Sequence, residues 1–329
     1  MSTTEIAQIS QDDLEEIHKQ RVLNLKRNCV KLYNYDYNAM PVDGAQLVEF
    51  EKDLLYENTK NQLYFSVNDM NPRDFKNFIY DDLNKLIYCY VPKVACTNWK
   101  RVLLVLSGKG GPTPLDIRPD QTHSRENFQF LNSLNMSEIK FRLSKYLTYV
   151  VVRDPIERVI SAFRDKFEMS YSEYFQKTFG IKIIKKYRKS PSKRSLERGH
   201  DVTFQEFVSY LSDSYDDYGQ RGLNEHWKSA YAMCHPCAIN YDVVGRYETL
   251  EIDANHILKK ARLIHKVQFP PMPQHHVGNR RTSHMINRYL RRLTTESVSR
   301  FELIYGSDLF LFNYTFSSGS MVNLPLDMR

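Results

Sequence analysis

Two short runs of almost unbroken apolar and aromatic residues stand out along the chain, Leu86-Ile87-Tyr88-Cys89-Tyr90-Val91 and Leu147-Thr148-Tyr149-Val150-Val151-Val152. Runs this short, without polar alternation, predict strands buried on both faces. Asp242 to Tyr247 predicts a third. Helical spacing follows the first run from Thr97 to Leu106, ends at Ser107-Gly108, and gives way to a loop at Lys109-Gly110-Gly111-Pro112. A second helix is expected from Ser137 to Lys145, with Ser137 as its cap. After the second strand, Asp154-Pro155-Ile156-Glu157 combines a capping residue with proline at the first helical position, so a helix should run towards Phe167. Thr203-Phe204-Gln205-Glu206 is a capping box before a helix ending near Asp213. Further helices are expected from Leu250 to Ala261 and from Glu296 to Tyr305, the latter stopped at Gly306. Strands alternating with helices predict an α/β fold: a mainly parallel central sheet flanked by helices.

The N-terminal part reads differently. Residues 8 to 33 place Ile9, Leu14, Ile17, Val22 and Leu25 among charges, which predicts an exposed helical lead-in. Residues 34 to 80 are rich in Asn, Asp and Tyr without a clean period and are expected to be irregular. The expected organisation is a stem-like lead-in over 1–80, one catalytic domain over 81–316, and a tail over 317–329. No internal repeat is visible.

Composition narrows the class. With 329 residues, 42% hydrophobic and 13% aromatic, the chain can build a large core. The net charge of +7 suits an anionic partner. The odd number of cysteines, five, leaves at least one thiol unpaired. Cys234-His235-Pro236-Cys237 is a lone CxxC without the second pair that a zinc site needs. Disulfides involving Cys29, Cys234 or Cys237 are open if the chain is secretory. The sequons at Asn135 and Asn313 are candidate glycosylation sites that agree with that compartment. No stretch approaches 18 consecutive apolar residues, and the first residues lack a signal-peptide pattern.

The chemistry concentrates at two strand-to-helix junctions. Pro92-Lys93-Val94-Ala95-Cys96-Thr97-Asn98-Trp99 follows a strand and opens a helix, where free backbone N–H groups and the helix dipole favour a phosphate. Thr97 and Asn98 can donate to it, and Lys93 can reach past it to a group in transfer. The loop is not a Walker A motif, because GxxxxGK[ST] is absent. The second junction is Arg153-Asp154-Pro155-Ile156-Glu157-Arg158-Val159-Ile160-Ser161, with Arg153 at the strand exit and Ser161 two helical turns on. It is expected to hold a second anion at the carboxyl edge of the sheet. Structural ion pairs of Arg153 and Arg158 with Asp154 or Glu157 are the competing reading. Together the motifs describe a site for a nucleotide bearing two separate phosphate-like groups.

These residues resemble the donor-binding elements of Golgi carbohydrate sulfotransferases, above all the branch of chondroitin, dermatan and N-acetylgalactosamine 4-O-sulfotransferases that includes the HNK-1 enzyme. The likeness rests on Pro92 to Trp99, on Arg153 to Ser161 continuing through Ala162-Phe163-Arg164-Asp165-Lys166-Phe167, on Asn224-Glu225-His226-Trp227 followed by Cys234 to Cys237, and on Tyr241 to Thr249. It implies a P-loop-like three-layer sandwich and 3'-phosphoadenosine 5'-phosphosulfate (PAPS) as the sulfuryl donor. The 5'-phosphosulfate would lie on Pro92–Asn98 and the 3'-phosphate on Arg153–Ser161. It also implies a glycosaminoglycan or glycoprotein glycan as acceptor, neither nucleic acid nor metal as partner, and residence in the Golgi lumen through one membrane anchor that this chain does not contain. The 4-hydroxyl of N-acetylgalactosamine in chondroitin- or dermatan-type chains is the expected acceptor group. A glucuronyl cap or a terminal N-acetylgalactosamine is the alternative.

Sulfuryl transfer needs stabilisation of the leaving oxygen and a base for the acceptor hydroxyl. Lys93 is expected to supply the first. His123, in Gln121-Thr122-His123-Ser124, is the expected base and matches a histidine the family carries in that region; His226, Glu225 and Glu126 are rivals. His226 is expected to touch acceptor or sulfate. The basic run from Lys182 to Arg198, with Lys185, Lys186 and Arg188, is expected to hold a polyanionic acceptor or else to be a solvated face. Two other classes stay open at this point: a phosphotransferase, which would need a metal-binding carboxylate pair, and a non-catalytic polyanion-binding module.

Overall fold

The computed structural model describes residues 11–33, 66–169, 173–271 and 285–315. They form two compact units. The first takes residues 11–33, 66–153 and 230–271, and the second 154–169, 173–229 and 285–315. The expected tail over 317–329 lies outside the described residues.

The first unit is built on a five-stranded sheet in the order β3-β1-β2-β4-β5. β1 is Phe78–Asp81, β2 Leu86–Cys89, β3 Gln129–Phe130, β4 Leu147–Val152 and β5 Val243–Arg246. The three expected strands, β2, β4 and β5, are the parallel ones, with Cys89 opposite Val150 and Val152 opposite Arg246. β1 and β3 add an antiparallel flank. β1 lies inside the stretch expected to be irregular. It pairs with β2 through a tight connection in which the Asp81 carboxylate accepts from the N–H groups of Leu83 and Asn84, at 2.9 and 3.1 Å.

Helices cover both faces of the sheet, because successive strand residues point to opposite sides. On one face Tyr88 and Tyr149 stack at 4.9 Å beneath Trp99 of the Cys96–Leu106 helix. On the other, Cys89 is bonded to Cys234 of the short helix Ala230–Cys234. The layered α/β architecture is as expected.

The N-terminal helix, Gln11–Tyr33, is not an exposed lead-in. Leu25, Cys29 and Leu32 are buried along one stripe, and a disulfide joins Cys29 to Cys237. Arg21 donates to Asp253 at 2.6 Å and to Thr249 at 3.2 Å, within the segment that follows β5. Asp253 is fully buried and also accepts from the Arg246 N–H and the Thr249 hydroxyl. Beside it the His18 and His256 rings stack at 3.9 Å, with Glu15 paired to Lys260 and close to His256.

This node gives the fold a calculable acid sensitivity. Burial, and then the adjacent His18 ring, push His256 down to about 4. In the unfolded chain His256 takes a proton at roughly 6.5, so between those pH values the unfolded state binds the extra proton and stability falls as pH falls. Burial works to raise Asp253, but its hydrogen bond from His18 and the charge of Arg21 hold it below the ordinary carboxylate range. That contribution is lost only at still lower pH. The melting temperature should therefore drop by about 3–6 °C between pH 7 and pH 5. His256→Phe should flatten this dependence, and thermal melts in which both proteins show the same slope would exclude the node as its source.

The second unit packs around aromatic side chains. Trp227 is fully buried against Phe207 and Phe179, and Phe163, Phe167, Tyr289 and Phe301 complete the cluster. Its helices run longer than expected. Phe204–Tyr218 passes Asp213 because Tyr215 is buried, and it stops at Gly219, whose φ is 57°. Thr295–Leu311 continues through a buried Gly306, because Leu309 and Leu311 extend the apolar face beyond it. The Thr203–Glu206 capping box forms as expected. In the first unit, the helix Met136–Lys145 is capped by Asn135 rather than Ser137: Asn135 Oδ1 accepts from Glu138 N–H at 3.0 Å, and Glu138 returns the bond.

Candidate active site

Because β2, β4 and β5 are parallel neighbours, the residues leaving their carboxyl ends emerge side by side. Pro92 and Lys93 follow β2, Arg153 follows β4, and Tyr247 follows β5. Such an edge is where ligands of open α/β sheets bind.

The two helix entries differ in a decisive way. The Cys96–Leu106 helix has Ala95 as its N-cap, in the left-handed region at φ 55°, and no side chain caps it. Lys93 is also left-handed, at φ 70°. Two non-glycine residues of this kind within three positions are uncommon, and such conformations cluster where a loop is shaped for a ligand. The uncapped first turn keeps its positive dipole end available to an anion. Asn98 Oδ1 accepts from Arg101 at 3.2 Å, which turns its NH2 group the other way. Val94 and Trp99 are fully buried and anchor the loop to the core.

The Pro155–Phe163 helix, by contrast, is closed by its own chain. Asp154 Oδ1 accepts from the N–H groups of Ile156 and Glu157, both at 2.9 Å. Its first turn is therefore occupied by a carboxylate. Ile156, Val159 and Ile160 are buried in the second unit's core. Arg158 is 1% exposed and donates to the carbonyls of His226, at 3.4 Å, and Lys228. These carbonyls tie the start of the helix to the segment around Trp227. Ser161 is half-buried on the same helix.

Arg153 stays with the first unit. It is 7% exposed, donates from Nη1 to the Lys93 carbonyl at 3.3 Å, and lies over the Tyr247 ring at 4.2 Å.

The family comparison agrees with this geometry. Residues 76–315 match the family model described as "Sulfotransferase family". This chain belongs to the sulfotransferase family, among its carbohydrate sulfotransferases. It is 40% identical over 247 residues to carbohydrate sulfotransferase 11 of Rattus norvegicus, covering 75% of this chain and 69% of that protein. It is 40% identical over 236 residues to carbohydrate sulfotransferase 9 of Homo sapiens, covering 71% and 52%. Against carbohydrate sulfotransferase 14 of Danio rerio the identity is 42% over 195 residues, covering 59% and 51%. No solved structure matches. Among the described residues no helix is long and apolar enough to cross a membrane, and no cluster of three His, Cys, Asp or Glu has the geometry to hold a metal.

The remaining residues singled out in this sulfotransferase fall into distinct surroundings. His123 is exposed at the end of the Pro119–His123 helix, which packs against the Cys96–Leu106 helix. His226, in the second unit, lies edge-on to Phe175 at 5.0 Å, and its Nδ1 is 2.9 Å from Asn224 Oδ1. Because that oxygen only accepts, Nδ1 is the donor in this contact. Asn135 and Asn313 are both exposed, and Asn135 caps its helix through the oxygen, not the nitrogen a glycan would use. Cys234 and Cys237 are each in a disulfide to a distant partner, and Cys96, inside the loop, is the free thiol.

Part of the basic run is engaged by its own unit. Arg188 makes a two-pronged contact to Glu206 at 2.7 and 2.8 Å and another to Asp201 at 2.7 Å, while Lys186 pairs with Asp213. Arg188 is thus held by carboxylates of its own unit, while Lys185 is exposed. Arg188→Ala would strand a buried Glu206 carboxylate. It should lower the melting temperature by about 4–10 °C while leaving the KM for acceptor within about twofold. A stable variant with a sharply raised acceptor KM would return Arg188 to the acceptor surface.

The residue that sequence reasoning passed over is Tyr247. It stood in a block matched to the family but carried no assigned role. The available signal was an aromatic one step beyond a strand end, at the register position beside Arg153.

Proposed function

We propose that this sulfotransferase moves the sulfuryl group of PAPS to a sugar hydroxyl, most specifically the 4-hydroxyl of N-acetylgalactosamine in chondroitin- or dermatan-type chains. The observation that carries the reading is the pairing of an uncapped, left-handed helix entry at Lys93–Cys96 with a buried arginine at the neighbouring strand exit. One anion is suited to the loop Pro92–Asn98, and a second to Arg153 at the neighbouring strand exit. Asp154 shapes the turn between them, while Ile156, Val159, Ile160 and Arg158 act as supports.

Bound PAPS supplies an activated sulfuryl group whose leaving oxygen belongs to the 5'-phosphate. The acceptor oxygen bonds to sulfur as the bond from sulfur to that oxygen breaks, and the electron pair remains on the phosphate. The Lys93 ammonium faces the developing negative charge, and His123 takes the acceptor's proton. A second reading gives the base role to His226. It is supported by the contact to Asn224, which orients the ring.

Two disulfides agree with residence in an oxidising lumen such as the Golgi. For the acceptor, the exposed Lys182, Lys185, Lys189, Arg194 and Arg198 form the part of the basic run best suited to a polyanionic glycan.

The test is a panel of acceptors with labelled PAPS, followed by disaccharide analysis of the products. Label should appear at the 4-position of N-acetylgalactosamine, with ATP inactive as donor and no loss in EDTA. Transfer confined to a glucuronyl cap or a terminal N-acetylgalactosamine would move the acceptor assignment. Heparin affinity without protection by adenosine 3',5'-bisphosphate would leave only a polyanion-binding module.

A further inference from the structure

Three parallel strands end side by side, and the arginine leaving the middle one touches both neighbours. Arg153 donates to the carbonyl of Lys93, beyond β2, at 3.3 Å. Its guanidinium also lies 4.2 Å from the centre of the Tyr247 ring, beyond β5. Arg153 as a whole residue is buried. The carbonyl it holds belongs to a residue in the left-handed region, at φ 70°, and two residues later Ala95 is left-handed as well. A lysine and an alanine do not adopt that backbone without support, because each Cβ crowds its own carbonyl. A trans peptide is planar, so fixing the Lys93 carbonyl also fixes the direction of the Val94 N–H. Arg153 therefore holds the loop's shape as well as placing a positive charge.

We infer that Tyr247 and Arg153 form a positioning pair: the Tyr247 ring fixes the guanidinium, and the guanidinium fixes the Lys93 peptide in the conformation that aims its ammonium. The inference rests on the proposed donor site and deepens it. Arg153 becomes the element through which occupancy of one anion subsite is transmitted to the alignment of the other. An anion drawn to Arg153 stiffens the Lys93 loop, and a loop already aligned presents Arg153 in its binding orientation. Tyr247 acts through Arg153 and is a positioning residue, not a catalytic one. The chemistry of the contact is that of a cation over an aromatic face, so a phenyl ring should serve nearly as well as a phenol.

The test compares Tyr247→Leu with Tyr247→Phe in the full chain. A first control is thermal protection of the unaltered protein by adenosine 3',5'-bisphosphate; its absence would sink the donor-site reading itself and is scored separately. Given protection, Tyr247→Leu should lower kcat about tenfold with a change in PAPS KM of less than about threefold, and Tyr247→Phe should restore most of the rate. The kcat loss should nearly vanish when Tyr247→Leu is combined with Lys93→Ala, because a misaimed lysine matters only when the lysine is present. Independently of activity, amide hydrogen exchange over residues 92–97 should quicken in Tyr247→Leu but not in Tyr247→Phe, with β4 unchanged. Should Tyr247→Leu fail to fold, the milder Tyr247→Met carries the same exchange measurement. A rise in PAPS KM alone, additive with Lys93→Ala and without faster exchange in the loop, would overturn the inference.

Discussion

Lys93→Ala should lower turnover by about two to three orders of magnitude while changing PAPS affinity by less than about fivefold. The asymmetry follows from where the lysine sits. The backbone around it, not its side chain, shapes the anion subsite: the uncapped first turn of Cys96–Leu106 and the left-handed Ala95 survive truncation of the Lys93 side chain. Ground-state binding of the donor should persist. What is lost is a charge facing an oxygen that becomes fully negative only as its bond to sulfur breaks, and that interaction is worth most in the transition state. Lys93→Arg should recover little, because a planar guanidinium cannot take the position of a compact ammonium on a left-handed loop. Steady-state kinetics with labelled PAPS decide the matter, with the melting shift produced by adenosine 3',5'-bisphosphate as a separate measure of affinity. Equal losses in turnover and affinity would reduce Lys93 to a binding residue.

The parts of this fold that were legible in the sequence are those dictated by local rules. β2 and β4 are short unbroken apolar runs, and strands buried on both faces have that form. The Asp154 cap and the Thr203–Glu206 box are likewise local, since the bonds they form reach only two or three residues. The boundaries that moved did so through tertiary contacts. Gly306 ends no helix because Leu309 and Leu311 beyond it are buried, and packing outweighs a propensity cost of about 1 kcal/mol. β1 was hidden because four residues, Phe78 to Asp81, give no period to read. Only the Asp81 turn that follows betrays the hairpin.

At the site, both junctions could be found from strand-then-helix order, but their inequivalence could not. Asp154 could be read as a cap, but the left-handed Lys93 and Ala95 that leave the other helix without a side-chain cap are a matter of loop geometry that no residue type there announces. Arg153 and Tyr247 lie 94 positions apart and meet only because β4 and β5 pair in register. No pattern within either segment encodes that meeting. The fate of Arg188 was equally opaque, because its partner Glu206 read as part of the next helix's capping box and Asp201 carried no reading at all.

The second large effect should come from the disulfides. Cys29 to Cys237 and Cys89 to Cys234 span 208 and 145 positions, and the second loop is nested inside the first. Chain entropy alone assigns a loop of 145 residues about 5 kcal/mol, and native disulfides of this kind deliver about 2–5. With the inner bond intact, the outer one closes an effective loop of only about 60 residues, for about 4 kcal/mol. Cys29→Ala with Cys237→Ala should therefore lower the melting temperature by about 5–10 °C and free the N-terminal helix to open. Loss of the inner bond should do more. It ties β2, four residues before Lys93, to a helix on the opposite sheet face from Trp99, so activity should fall along with stability. Thiol counting gives the check that does not depend on catalysis. The unreduced chain, unfolded in denaturant, should react with one equivalent of a thiol reagent, at Cys96, and after reduction with five. Reaction with three or five equivalents before reduction, or a double-alanine variant that melts with the unaltered protein, would remove the covalent clamp from the account of this fold and, with it, the support that an oxidising compartment draws from the structure.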